Sequence, residues 1–508
     1  MRNKIIAGVL AVMSLTACED WLDVNTTPYN PTSVNPPLLL PAAQTYTATW
    51  LQTDRGVSHL GSMIMYHYSE AAGFSWYNDE FLYRADASTF YANIFNSAYL
   101  NGLKSYATIK NSDVEVYGAY HAISDIMMAY TYQILADFYG DIPYSEALQR
   151  SNNPTPSYDT AEEVYDALII QLTDAIDMID AAEASNSSFM PGSDDQMFGG
   201  DMDMWKKFAN TIKIRILNRE HNAKDASYIN AELATIAAEG SGYITEDVSI
   251  AAGYLNEEGK QNPMWASFGA GPDGTTTLSG NATSASDYII DVLETSADPR
   301  IDFIFERPDD GHLGVPQGIV ADPAVYAPAL VSNIGPGILK GADQASIILT
   351  LAEHNLNMAE LALSGFSVGG SAEEYYNKGV TASFETLGVT TMFDDDEDAT
   401  TPDIELSASQ SANRYLAQGF QNVNYVASTD KLQAIIYQKW LAVIGFTGEQ
   451  AWFDWVRTGY PLNLPVSQEA ANLVRPVRLS YPASELSTNA ANVPTQPNVF
   501  NDKIFWAQ

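Results

Sequence analysis

Apolar residues recur along this chain mainly at intervals of three and four, the spacing that stacks side chains on one face of an α-helix. Ile123, Met127, Tyr130, Ile134 and Phe138 form one such stripe. Val164, Leu168, Leu172, Ala175 and Ile179 form another, opened by Thr160 and Glu163 in the positions of a capping box. In "ADQASIILTLAEHNLNMAELALSG", Ala345, Leu349, Ala352, Leu356, Ala359 and Leu363 alternate small with large. That spacing predicts a helix from about Ala345 to Gly365 whose small residues admit a close neighbour. "SAEEYYNKGVTASFETLG" predicts the next helix, with Tyr376 and Phe384 packing back. Leu432, Ile436, Trp440 and Val443 mark one arm of a further pair in "STDKLQAIIYQKWLAVIGFTGEQAWFDWVRTGYP". The fold class expected is all-α: tetratricopeptide-like helix pairs with little β structure.

Between about 242 and 342 the pattern dissolves. Gly, Pro, Thr and Asn crowd "FGAGPDGTTTLSGNATSASD", "PDDGHLGVPQG" and "NIGPG", with one short helix expected around Asp287 to Glu294. Long irregular stretches of this kind are usually functional loops on a rigid scaffold. The stretch after Tyr460 is Pro-rich and is expected to run extended across the surface. In "ADFYGDIPYSEAL" (136–148), Gly140 sits where a helix needs a left-handed residue to end, and Pro143 blocks continuation. Asp141 can bond nearby backbone groups, and Ser145 to Leu148 look helical again. No nucleophile and base are forced together there, so it reads as a corner between packed helices.

The N-terminus changes the picture. "MRNK" carries two positive charges, and Ile5 to Leu15 is an apolar run too short to span a membrane comfortably. Residues 1–17 therefore read as an export signal. Leu15-Thr16-Ala17-Cys18 resembles the bacterial lipoprotein signal, which implies acylation of Cys18 and cleavage before it. Cys18 is the only cysteine, which leaves no internal disulfide and no thiolate metal site. The acidic pair after it resembles the tag that sends some Gram-negative lipoproteins to the cell surface. Residues 18–37, rich in Pro, Asn and Thr, are expected to be a lipidated tether, and 38–508 a single domain.

Charge narrows the partners. The chain has 25 Lys and Arg against 63 Asp and Glu, a net of −38. Such a field repels nucleic acid and anionic lipid, and makes a neutral ligand more natural than a sulfated or uronic one. With only 17% charged residues and 46% hydrophobic ones, the chain is globular rather than a disordered polyelectrolyte.

Candidate chemistry is sparse. Gly365-Phe366-Ser367-Val368-Gly369 matches a nucleophile elbow in letters, but that motif needs a strand before it, and here it joins two expected helices. The six histidines form no HExxH, and His354 reads as a satisfied structural residue. Asp394 to Asp398 could hold a hard cation but lacks the spacing of a calcium loop, so a solvated acidic loop is preferred and no metal or cofactor is assigned. The aromatics say more. Sugar rings stack their C–H faces on flat side chains while amides and carboxylates bond the hydroxyls. "AAGFSWYNDEFLYR" (71–84) offers Trp76, Tyr77, Asn78 and Asp79 as candidate ligand contacts. "GKQNPMWASFGAGPDG" (259–274) offers Gln261, Asn262, Trp265 and Phe268. The alternative for each ring is burial beneath its own loop. Trp440, Trp452 and Trp455 lie on helical patterns and read as core.

"ADFYGDIPYSEAL" is similar to the hallmark corner of the SusD/RagB family of Bacteroidetes nutrient-binding lipoproteins. "CEDWLDVNTTPYNPT", "DPRIDFIF", "ILTLAEHNLNMAELAL", "YQKWLAVIGFTGEQAWFDWVRTGYP" and "RLSYPASELSTNAAN" agree in order, spanning nearly the whole chain. The last has the form Tyr481, Pro482, Glu485, Asn489. The resemblance implies a helical scaffold at the outer membrane. It would face the cell exterior as a lid on a SusC-like TonB-dependent transporter and bind an oligosaccharide or other nutrient without transforming it. An all-α glycoside hydrolase, which needs two acids facing across a cleft, and a non-binding structural scaffold remain as alternatives.

Overall fold

The computed structural model describes residues 35–393, 404–471 and 473–507. Cys18, most of the tether and the acidic run Asp394 to Asp398 lie outside them. Helices dominate. The longer ones used below are α1 (Pro36–Gln52), α2 (Val57–Ile64), α3 (Val114–Tyr139), α4 (Ala161–Ala184), α5 (Met202–Glu220), α6 (Leu351–Leu363), α7 (Ala372–Leu387), α8 (Lys431–Ala442) and α9 (Gly448–Thr458). Strands are few and short: β1 (Tyr68–Glu70) pairs antiparallel with β3 (Thr283–Ala285), and β2 (Val248–Ile250) with β4 (Ser346–Leu349). A third antiparallel pair joins Thr391–Phe393 to Ile404–Leu406.

Local chemistry explains the helix ends. Thr160 and Glu163 form a capping box on α4, and Ser371 and Glu374 do the same on α7. Both expected stripes are buried, from Ile123 to Phe138 on α3 and from Val164 to Ile179 on α4, and these two helices pack on each other. α6 and α7 form the expected helix pair, joined by the loop that holds the 365–369 motif. The α2–α9 contact is closer still. A Cβ on Gly61 would lie 2.2 Å from the Glu449 nitrogen, and one on Gly448 would lie 2.2 Å from Ser62 Oγ, so only glycines fit. The Gly448 amide uses that proximity to donate to Ser58 Oγ at 3.0 Å.

The corner at 136–148 is structural. Gly140 takes φ +74° and ends α3. Asp141 accepts from the Ala161 amide at the start of α4 (3.0 Å), a partner further away than turn chemistry alone suggests. Residues 145–148 do not return to helix. Asp159 takes the amides of Tyr144 and Ser145 at 3.0 and 2.8 Å and holds the chain in turns.

Three other expectations change. The stretch from Ala345 is not yet helical: Ser346–Leu349 is β4, and α6 starts only after Thr350, whose hydroxyl accepts from the Glu353 amide (3.0 Å). The stretch after Tyr460 is irregular but not superficial. Leu479, Tyr481, Val499, Ile504 and Trp506 are buried, and Arg478 donates to the Tyr139 carbonyl at the end of α3. His354 is buried, but its Nδ1 has no partner, and the ring packs against Tyr243 instead (5.0 Å).

Charge is buried at the centre. Asp454 on α9 meets Lys439 Nζ from α8 (2.7 Å), Arg219 Nη1 from α5 (3.0 Å) and Arg457 Nη2 (3.2 Å). Arg457 also forks onto Glu360 of α6, and Arg219 faces Asp137 of α3 (3.7 Å). Burial alone would raise the Asp454 carboxyl, but the three cations hold it well below the carboxylate range. Its stabilising share is therefore present above the ordinary carboxylate pKa and lost only in strong acid. Replacing Asp454 with Asn should cost about 3–5 kcal/mol in chemical denaturation, because Lys439 would stay buried without its carboxylate and Arg219 would keep only the more distant Asp137. A variant as stable as the parent would show that the cluster contributes nothing.

Candidate functional site

The site begins at the turn between α1 and α2. Arg55 takes a left-handed backbone (φ +56°), and the Gly56 amide closes onto the Thr53 carbonyl at 2.8 Å. This tight reversal presents Asp54 and Arg55 side by side to the loops above. Asp54 Oδ2 accepts from Trp76 Nε1 (3.0 Å) and from Ser279 Oγ (2.7 Å), and its Oδ1 accepts from the Tyr77 hydroxyl (3.2 Å). The Asp54 amide donates to Ser267 Oγ at 3.0 Å. One residue thus ties together the two loop segments that the sequence marks separately.

Glu70, at the end of β1, accepts the amides of Trp76 and Tyr77 at 2.6 and 2.9 Å and fixes the 71–77 loop. Arg55 donates to the Trp76 carbonyl and places its guanidinium 5.7 Å from the Trp76 ring centroid, a cation–π distance. Trp76 keeps 37% of its surface exposed, so one aromatic face is available. Asn78 and Asp79 beside it are exposed.

Tyr77, Asn262 and Phe268 differ from expectation: their side chains are buried. Tyr77 bonds Asp54 and the Thr283 hydroxyl (2.8 Å). Asn262 caps the short helix Pro263–Phe268, accepting from the Met264 and Trp265 amides, and its Nδ2 donates to Gln344 O and Ser346 Oγ. Phe268 stacks on His59 at 5.3 Å. Tyr77 and Asn262 support the site from behind, since interior packing and capping use the same residue types as sugar contact; Phe268, though largely buried, also lines the cleft beside Trp265.

Trp265 is half-buried, its Nε1 donating to the Ala270 carbonyl at 2.8 Å. It lines a cleft of about 520 Å³ together with Asn281, Glu306, Asn333, Pro328 and Leu339. Asn281 lies two residues from Ser279, so the Asp54 anchor reaches the rim of this cleft. A smaller hollow of about 240 Å³, lined by Glu70, Ser75, Asn78 and Glu469 among others, flanks the Trp76 loop. Asp54, Arg55 and Glu306 were not marked by the sequence, and Ser279 and Asn333 only as members of the irregular stretches at 268–287 and 333–337. For Asp54 and Arg55 the available signal was the Asp-Arg-Gly turn between two helical runs.

Electrostatics do not assemble a nucleophile. Burial pushes His59 down to about 4, so the ring is neutral at ordinary pH although Asp54 lies 3.8 Å away. Burial also works to raise Asp54, but His59, the Trp76 and Ser279 donors and Arg55 hold it below its usual value. Ser279 donates to the carboxylate and not to the imidazole, so the order needed to activate a hydroxyl is missing. The 365–369 motif joins α6 to α7 with no strand before the serine.

A family model described as starch-binding and associating with the outer membrane matches residues 28–482. No curated protein matches the chain. Among solved structures, a chitin-binding homologue from Flavobacterium johnsoniae superposes with a TM-score of 0.71 at 23% identity, covering 93% of this chain and 98% of its own. A homologue from Bacteroides uniformis gives 0.71 at 24%, covering 92% and 99%. A related protein from Bacteroides thetaiotaomicron gives 0.71 at 21%, covering 93% and 99%. At these identities the likeness is one of fold.

Glu80 provides the pH handle of the site. Burial lifts its carboxyl to about 7, against a bond from Tyr91 (2.9 Å) and the Arg55 charge. Because the folded value lies above the unfolded one, the stability this group contributes is full below the ordinary carboxylate pKa. It is lost as pH rises through about 7. Glu80→Gln should flatten the fall in thermal midpoint across that window. A slope equal to the parent's would show that Glu80 is charged throughout.

Proposed function

The chain belongs to the SusD-like family, and from that premise we propose that it captures an oligosaccharide on an aromatic surface built from Trp76 and Trp265. The observation that carries this reading is the convergence of both aromatic segments on Asp54, with Trp76 partly open and Trp265 lining a cleft. Asn78 and Asp79 stand exposed beside Trp76 to bond hydroxyls, while Tyr77, Asn262 and Phe268 hold the surface in shape. The description of the family as starch-binding, and of one structural neighbour as chitin-binding, supports a carbohydrate ligand. The ligand leaves chemically unaltered, in keeping with the Ser279–Asp54–His59 order.

The family associates with the outer membrane. Among the described residues no helix is long and apolar enough to cross a membrane. The attachment we propose is acylation of Cys18 after removal of residues 1–17. The partner is a SusC-like TonB-dependent transporter that receives the sugar at the cell surface.

A glycan array probed with the soluble form lacking residues 1–18 tests the binding reading. Trp76→Ala and Trp265→Ala should each lose about 1–3 kcal/mol of affinity for the sugars that bind. Unchanged affinity in both would move the site elsewhere, and new reducing ends during incubation would make the protein an enzyme. Cys18→Ser should release the protein from the membrane fraction and abolish its co-purification with a barrel transporter. Retention in the membrane would remove the lipid anchor from the account.

A further inference from the structure

The Trp265 side chain is gripped by the chain just after it. A Cβ built on Gly269 would lie 2.6 Å from Cδ2 of the indole and 2.9 Å from Cε2. Those two atoms share the bond that fuses the rings, and within the ring plane other ring atoms shield them on both sides. Only a point above the face meets both first, so the Gly269 backbone lies flat against one face of the indole. The next residue takes the edge: Trp265 Nε1 donates to the Ala270 carbonyl at 2.8 Å. Gln261 Nε2 donates to the same oxygen at 3.0 Å.

This cradle is itself fixed. The Gly269 carbonyl accepts the Thr277 amide (3.0 Å), and the Gly271 amide donates to the Thr275 carbonyl (2.9 Å), which closes a hairpin over 270–276. Two residues beyond Thr277, the Ser279 hydroxyl reaches Asp54. The indole N–H and one face are thus spent inside the protein. The opposite face and the outer edge are what remain for the cleft that Trp265 lines. Trp76 follows the same plan: its Nε1 goes to Asp54, and the Arg55 guanidinium lies over its ring.

We propose that Gly269 is a positioning residue for ligand capture: lacking a side chain, it lets the Trp265 indole lie on the main chain and offer the cleft one fixed face. The inference rests on the carbohydrate reading above and deepens it. The contact Trp265 makes is stacking against the C–H face of a sugar ring, without a hydrogen bond from the indole. A platform that is already still has little freedom to lose on binding. A Cβ at 269 would push the ring off the chain and break its bond to Ala270, and the space open to the displaced indole is the cleft itself.

The test is a mutant cycle of Gly269→Ala and Trp265→Ala on the soluble form. Calorimetry follows binding of maltotetraose and of tetra-N-acetylchitotetraose, and near-UV circular dichroism is recorded without sugar. Gly269→Ala should bind about tenfold more weakly than the parent, and the double variant no more weakly than Trp265→Ala alone. The dichroic band that Trp265→Ala removes should also be lost in Gly269→Ala. Unchanged affinity in Gly269→Ala, losses that multiply in the double variant, or a band that persists would overturn the inference while the carbohydrate reading stands. If Gly269→Ala does not fold, recovery of folding in the double variant supports the clash with the ring. Failure of both to fold assigns Gly269 a backbone role and overturns the inference. Parental affinity in Trp265→Ala, or binding of neither sugar by the parent, would overturn the inference together with the part of Trp265 in the carbohydrate reading.

Discussion

The centre of this protein is a carboxylate that three cations share in a dry interior. Asp454 is reached by Lys439 and Arg219 from two other helices and by Arg457 from its own, and Arg457 passes the charge on to Glu360. Buried ions tolerate little displacement, because each lost partner leaves a desolvated charge behind. α5, α6, α8 and α9 are therefore held in one relative arrangement. From α9 the constraint passes to α2 through glycines, where Gly448 and Gly61 bring the backbones together and Ser58 accepts the Gly448 amide. α2 begins three residues after Asp54, which has turned toward the loops. The position of the Asp54 turn and the candidate surface it anchors thus follows from core electrostatics through one close helix crossing.

The loops above need their own anchors, since little regular structure holds them. Asp54 supplies one, taking donors from residues 76, 77 and 279. Asn262 supplies a second, bonding the chain to Gln344 and Ser346 beside β4. Each replaces a stretch of sheet or helix with a single side chain whose bonds are all used. That economy explains why so much of the 242–342 region can be irregular and still hold a defined cleft.

Much of the scaffold was legible in the sequence because helices announce themselves locally. The stripes on α3 and α4, the boxes at Thr160 and Ser371 and the stop at Gly140 depend on neighbours within a turn or two. Features set by distant partners were not. Ser346–Leu349 fits a helical stripe as well as a strand, and only its pairing with Val248–Ile250 decides. The apolar residues after Tyr460 are too widely spaced to show a period, so their burial was hidden. The candidate site divides the same way. Aromatic residues picked out two loops that Asp54 ties together, but composition cannot separate a ring that faces solvent, Trp76, from one that braces it, Tyr77. Asp54 was missed because a turn aspartate has no pattern.

The depth of the stretch after Tyr460 bears on how the chain matures. Trp506 lies near Phe453 on α9, with ring centroids 6.4 Å apart, and Arg478 closes the end of α3. A ribosome delivers those pieces long after α3 itself has emerged. Until then the carbonyls that end α3 and the Phe453 ring lack these partners, an invitation to aggregate that a holdase chaperone would have to screen. The same delay keeps the nascent polypeptide open, which is the state a secretion channel accepts.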